Sequence, residues 1–147
     1  MSEKRLESII RDFVEAYMNR DVEKTLSFLS EDVVWTAPEG TFRGKDEAKR
    51  LITWSAQSNR QIKFRDAGIG IMVKGGKAVY EYVLEGVTQE GMKYETPGIC
   101  AYEFSGEKIQ QHMVIFDRLS IAKQAAKGTV EKRVINGVLS RVEKGLR

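Results

Sequence analysis

An α+β fold is what this sequence predicts, with helices first and an antiparallel meander after them. Three observations carry that expectation. Apolar residues recur at helical spacing near the start of the chain. From Ile62 the pattern changes to long strand-like runs joined by short glycine-containing turns. After Asp117 the chain returns to helix. Helices followed by hairpins argue against alternating βαβ units and a parallel sheet.

The elements follow in order. Leu6, Ile9, Ile10, Phe13, Val14, Tyr17 and Met18 form the strongest helical stripe, which stops near Asn19. Asp21 suits the cap of a second, short helix burying Val22, Leu26 and Leu29. Val33 to Ala37 reads as a short strand ended by Pro38 and Gly40. A third helix starts after Gly44, with Asp46 and Glu47 in its first turn, where they favour the positive end of the helix dipole. Its apolar positions are Ala48, Leu51 and Ile52, with Trp54 at the margin.

Four strands are then expected: Ile62 to Val73, Ala78 to Thr88, Met92 to Phe104 and Lys108 to Phe116. Their joints, Gly75-Gly76, Gln89-Glu90-Gly91 and Ser105-Gly106-Glu107, are short, as hairpins require. Gly68, Gly70, Gly86 and Gly98 are expected bend or bulge points. Leu119 to Lys127 is helical and ends at Gly128. Thr129 is expected to cap a last helix whose Val130, Val134, Val138, Val142 and Leu146 recur every fourth residue.

The bulk numbers bound the function. A chain of 147 residues makes one core-bearing domain, and 41% hydrophobic with 31% charged residues is ordinary globular composition. No apolar run approaches a membrane span. Met1 to Arg5 is charged and runs straight into helix, which predicts no secretory leader. One cysteine, Cys100, leaves no internal disulfide. Together these lead to the expectation of a cytoplasmic protein.

The net charge of +3 is uneven. Residues 118–147 hold eight Lys/Arg against Glu131 and Glu143, whereas the first 117 residues are net acidic. No basic patch interleaved with aromatics appears in the main body, so no nucleic-acid partner is expected. One His and one Cys do not make a typical zinc site. Gly68-Ile69-Gly70 lacks the third glycine of a dinucleotide loop, and Gly75-Gly76-Lys77 is a hairpin turn rather than a phosphate loop. No metal and no cofactor are expected.

Several segments carry a resemblance. Glu31-Asp32-Val33-Val34-Trp35-Thr36-Ala37-Pro38-Glu39-Gly40, Phe42-Arg43-Gly44-Lys45-Asp46-Glu47-Ala48, and Phe104-Ser105-Gly106-Glu107-Lys108-Ile109 (an "F-x-D-G-K-I"-like hairpin) all match in order. With Gln110 to Asp117, they resemble the nuclear transport factor 2-like superfamily, in its SnoaL-like polyketide cyclase and ketosteroid isomerase-like branch, over residues 5–117. The resemblance implies a cone-shaped α+β barrel, with three N-terminal helices on a curved antiparallel sheet. It divides the chain into a domain, 1–117, and a basic amphipathic helical extension, 118–147. It also implies a homodimer through the convex face of the sheet. The superfamily holds isomerases, cyclases, hydrolases, dehydratases and noncatalytic binders, so it does not name a reaction.

Departures from the pattern exclude one chemistry. In the ketosteroid isomerases of this fold, an Asp before the strand-ending proline is the base. A Tyr and a protonated Asp form the oxyanion hole. The matching positions here are Ala37, Phe13 and Cys100, and neither a phenyl ring nor a thiol replaces those donors. Steroid isomerase chemistry is not expected.

His112 is the candidate catalytic residue, as the only side chain with an unperturbed pKa near neutrality. Strand alternation groups it with Val114 and Phe116, and the resemblance turns that face toward the cavity. It is either a general base or oxyanion donor, or a hydrogen-bonded histidine ordering the wall. Asp117 is the second candidate, against a salt bridge with Arg118 or the tail. Glu85 is the third: it partners His112 if its face is inward, and is solvated if Tyr80, Tyr82 and Leu84 are the inward set. Trp35, Leu51, Trp54, Tyr94, Cys100 and Phe116 are expected to line a largely apolar ligand cavity, with the Tyr17 hydroxyl at its rim.

Two functions follow. One is a cofactor-free acid–base enzyme acting on a small apolar or amphipathic molecule. The other is a noncatalytic homodimeric ligand-binding or scaffold protein. The tail packs on the domain or a partner subunit, a better reading than an anionic membrane surface because its stripe is β-branched and lacks Trp and Phe.

Overall fold

The structure is a computed structural model that describes residues 2–146. Its elements are α1 (Glu3–Met18), α2 (Val22–Ser27), β1 (Leu29–Ala37), β2 (Gly40–Arg43), α3 (Gly44–Ser58), β3 (Asn59–Lys74), β4 (Lys77–Thr88), β5 (Lys93–Ser105), β6 (Lys108–Phe116), α4 (Arg118–Ala125) and α5 (Thr129–Val142). The six strands form one sheet in the order β2-β1-β6-β5-β4-β3. Only the β1–β6 pair is parallel. It closes the meander back onto the first strand. The α+β expectation holds, with helices packed on a curved antiparallel sheet and a helical C-terminal extension.

The local chemistry explains the element ends. The Asp21 carboxylate accepts from Lys24 N at 3.0 Å and caps α2. Glu47 reaches back to accept from Arg43 N at 2.6 Å, which ties down the first turn of α3. Three boundaries differ from expectation. Leu29 belongs to β1 rather than α2. Pro38 and Gly40 do not simply end a strand: the chain turns on Pro38-Glu39 and returns as β2, pairing Ala37 with Gly40. Gly128, not Thr129, precedes α5, and the Glu131 carboxylate accepts from the amides of Lys127 and Gly128 at 2.9 and 3.1 Å.

The four glycines divide into two pairs. Gly68 and Gly70 have positive φ of 47° and 60° where the β3–β4 register slips between Asp66 and Ile71, a true bulge. Gly86 and Gly98 lie in the unbroken β4–β5 register and are not bulges. Each pairs across the sheet with an aromatic residue, Tyr94 and Tyr82, whose ring lies where a Cβ would be, at 2.1 and 2.5 Å. They are the flat places on which those rings rest.

The core lies between the concave face and the N-terminal helices. Ile10, Phe13, Val14, Leu26, Leu51 and Ile52 meet Val33, Trp35, Tyr80, Tyr82 and Tyr102 there. The opposite face keeps Ile99, Met113 and Ile115 exposed. In α5, Ile135 and Leu139 are partly covered, whereas Val130, Val134, Val138 and Val142 face outward.

Candidate active site

The concave face bears a cavity of about 380 Å³. Its buried wall follows from strand register. Trp35 on β1, His112 on β6 and Tyr102 on β5 are register partners on adjacent strands, so their side chains stand abreast on the same face. The His112 ring centroid lies 4.5 Å from that of Trp35 and 4.6 Å from that of Tyr102. Phe13 descends from α1 and presents its edge at 5.4 Å. The histidine is thus bracketed by three aromatic rings.

That setting fixes its charge state. Burial without a nearby anion pushes His112 down to about 3, and a backbone hydrogen bond at Ala101 offsets this only in part. At neutral pH it is an uncharged hydrogen-bonding group, too weakly basic to hold a proton. Three polar atoms of this row, His112 Nδ1, Trp35 Nε1 and the Tyr102 hydroxyl, are buried without a hydrogen-bond partner among the described residues. Such orphaned groups cost about 1–3 kcal/mol each, so three side by side in a cavity wall call for an explanation.

Three other polar side chains of the cavity have partners. Tyr17 donates to Ser55 Oγ at 2.7 Å, and its phenol is pushed up to about 12 by burial. Tyr94 donates to Asn59 Oδ1 at 2.7 Å. The Cys100 thiol, pushed up by burial to about 11, donates to the Tyr82 hydroxyl at 3.5 Å.

All seven residues expected to bind ligand line the cavity: Tyr17, Trp35, Leu51, Trp54, Tyr94, Cys100 and Phe116. Trp54 stands at its edge, 51% exposed. The two carboxylates weighed as further candidates, Glu85 and Asp117, do not lie with His112. Glu85 lies on the outer face, where it accepts from Arg65 Nε at 3.0 Å, because Tyr80, Tyr82 and Leu84 are the inward set of β4. Asp117 caps α4, accepting from Ser120 N at 2.9 Å, and makes no ion pair with Arg118 or the tail among the described residues.

Sequence reasoning missed several lining residues. Glu39 enters because β1 and β2 form a hairpin with that residue in its turn. Arg118, Ile121 and Ala122 enter because α4 folds over the sheet. Gln124 fastens α4 there, accepting from Glu95 N at 2.9 Å and donating to Glu95 O at 2.7 Å, much as a neighbouring strand would. The turn signal Pro38-Glu39-Gly40 was visible, but the side to which it would fold was not.

Comparison with known proteins agrees with this architecture. A SnoaL-like domain family profile matches residues 10–112. Among solved structures, one from Xanthomonas campestris pv. campestris, whose name proposes a polyketide cyclase, superposes with a TM-score of 0.77 at 20% identity, covering 84% of this chain and 98% of that one. A nuclear transport factor 2-like protein of unknown function from Burkholderia pseudomallei gives a TM-score of 0.74 at 19% identity over 86% and 100%. AclR from Streptomyces galilaeus, whose name proposes a hydroxylase, gives 0.73 at 12% identity over 97% and 96%. No curated protein matches the chain. These structural likenesses speak for the fold, and the profile, spanning most of the chain from helix α1 to His112, shows that the protein belongs to the SnoaL-like domain family.

Proposed function

We propose that the cavity binds a small, largely apolar molecule by an oxygen seated against Trp35, Tyr102 and His112, and polarises it as a cofactor-free enzyme of the isomerase, cyclase or dehydratase kind. The observation that supports this is the row of three buried, unpartnered polar atoms in a largely apolar wall. A carbonyl oxygen can accept from the Trp35 indole N–H and the Tyr102 hydroxyl on either side of His112. Uncharged donors held rigidly in a dry site stabilise developing negative charge without a reorganisation cost. Burial leaves His112 too weakly basic to serve as the base.

One observation favours a noncatalytic reading. No carboxylate hydrogen-bonds to His112 among the described residues, so the row contains no acid–base pair. A pair of probes separates the readings. Tetralin and 2-tetralone share a body and differ by one carbonyl. The ketone should bind about tenfold more tightly, the worth of roughly one to two net hydrogen bonds, and exchange its α-hydrogens with D₂O faster than in buffer. Tighter binding without faster exchange supports the binder. Equal affinity for both probes removes the donor row from the explanation.

The chain is further proposed to be a homodimer. Met72, Val79, Ala101 and Met113 form a cross-strand apolar row on the outer face, beside Ile99 and Ile115. Contiguous apolar exposure of this kind marks interaction surfaces.

A further inference from the structure

One charge in the cavity wall takes no part in the donor row. Glu39 occupies the hairpin turn between β1 and β2, is partly buried and lines the cavity. It makes no ion pair and accepts no side-chain hydrogen bond among the described residues. Tyr17 and Tyr94 line the same cavity, and both phenols are held above their usual range, chiefly by burial and further by the Glu39 charge. Both hydroxyls donate elsewhere, to Ser55 and Asn59. Arg118, the only cationic side chain in the lining among the described residues, donates to Pro38 O at 3.3 Å and does not bridge to Glu39. No lysine lines the cavity.

We propose that Glu39 sets the charge of the ligand: the cavity takes a protonated amine on an apolar, planar body, with the ammonium beside Glu39, and refuses a carboxylate of the same shape. An ammonium there gains the attraction of a partly buried carboxylate. A carboxylate there meets a like charge and loses water without replacement. The inference rests on the cavity as a ligand site, and the ligand it describes has two polar ends, an acceptor at the Trp35–His112–Tyr102 row and an amine at Glu39.

Three probes of one shape test it: 2-naphthylmethylamine, 2-naphthalenemethanol and 2-naphthoate, titrated calorimetrically into the full chain at pH 7. The amine should bind about tenfold more tightly than the alcohol, and naphthoate at least about tenfold more weakly. Glu39→Gln should bring the amine to within about twofold of the alcohol while leaving the alcohol unchanged. Arg118→Gln should widen the amine preference, which checks that the effect is electrostatic rather than a local rearrangement. Alcohol binding with no amine preference, or a preference that survives Glu39→Gln, overturns the inference and leaves the cavity reading standing. Binding by none of the three overturns both.

Discussion

Tyr102 and His112 stack on the concave face, ring centroids 4.6 Å apart and planes 22° from parallel, because they are register partners on β5 and β6. Trp35 flanks His112 on the other side at 4.5 Å. No partner in this bracket carries a negative charge. The imidazolium is therefore disfavoured, and the histidine that drew notice for its pKa ends with one moved far from neutrality.

That shift has a measurable consequence for stability. Burial lowers the folded pKa of His112 to about 3, below its unfolded value near 6.5. Between these values the unfolded chain binds a proton that the folded chain refuses. Stability is therefore fully present above pH 6.5 and falls as pH drops toward 3, at about 1.4 kcal/mol per pH unit. The chain has one histidine, so the slope between about pH 6.5 and 5 belongs to it, before ordinary carboxylates titrate. Urea unfolding of the wild type should show this slope, and His112→Phe should flatten it. A wild type whose stability is level across that window would mean that His112 titrates freely.

Asp117 should behave as a cap. Removing an N-cap carboxylate costs about 0.5–2 kcal/mol, whereas Asn caps nearly as well as Asp. Asp117→Ala should fray α4 and speed amide exchange across it. Because Arg118, Ile121 and Ala122 line the cavity, 2-tetralone affinity should fall with it. Asp117→Asn should match the wild type in exchange, affinity and any turnover. An acid or base role would reverse this, since Asn keeps the cap and abolishes proton transfer.

How far the sequence revealed the site depends on which interaction decides each residue. Strand alternation grouped His112, Val114 and Phe116 on one face and Gln111, Met113 and Ile115 on the other, since period-two geometry is local, and the resemblance turned the first face inward. Apolar pattern and resemblance together named seven of the residues that line the cavity. The partners of His112 were not legible, because Trp35 and Tyr102 stand beside it through the register of three strands far apart in sequence. Glu85 was undecided for a related reason: both faces of β4 carry apolar residues, and only burial of Tyr80, Tyr82 and Leu84 chooses between them. Glu39 was hidden by a tight turn whose direction depends on β2 pairing with β1.

Gly98 tests how tightly the cavity wall is built. A Cβ there would lie 2.5 Å from the Tyr82 ring. Tyr82 is fully buried, packs against Phe64 at 4.8 Å and Tyr80 at 5.2 Å, and receives the Cys100 thiol, so the ring has no room to retreat. Gly98→Ala should cost about 1–3 kcal/mol in urea unfolding, as overpacking does. Gly137→Ala is the control: nothing lies near its Cβ, and it sits within α5. Alanine there should not lower the midpoint, since it favours helix over glycine.

The outer face offers the last prediction. Met113 on β6 is 45% exposed and pairs with Ala101, which pairs with Val79, which pairs with Met72. A self-complementary surface places the same patch on both copies, so one substitution enters a twofold contact twice. Met113→Glu should therefore dissociate the proposed dimer, read as a halved mass in sedimentation equilibrium. It should leave the monomer folded, because the side chain points away from the core and from His112. Ile115→Glu should act alike, being 54% exposed on the same face. Val134→Glu on the outward stripe of α5 separates the two apolar surfaces. If it alone dissociates the dimer, the contact runs through the C-terminal extension and the sheet face is not the interface.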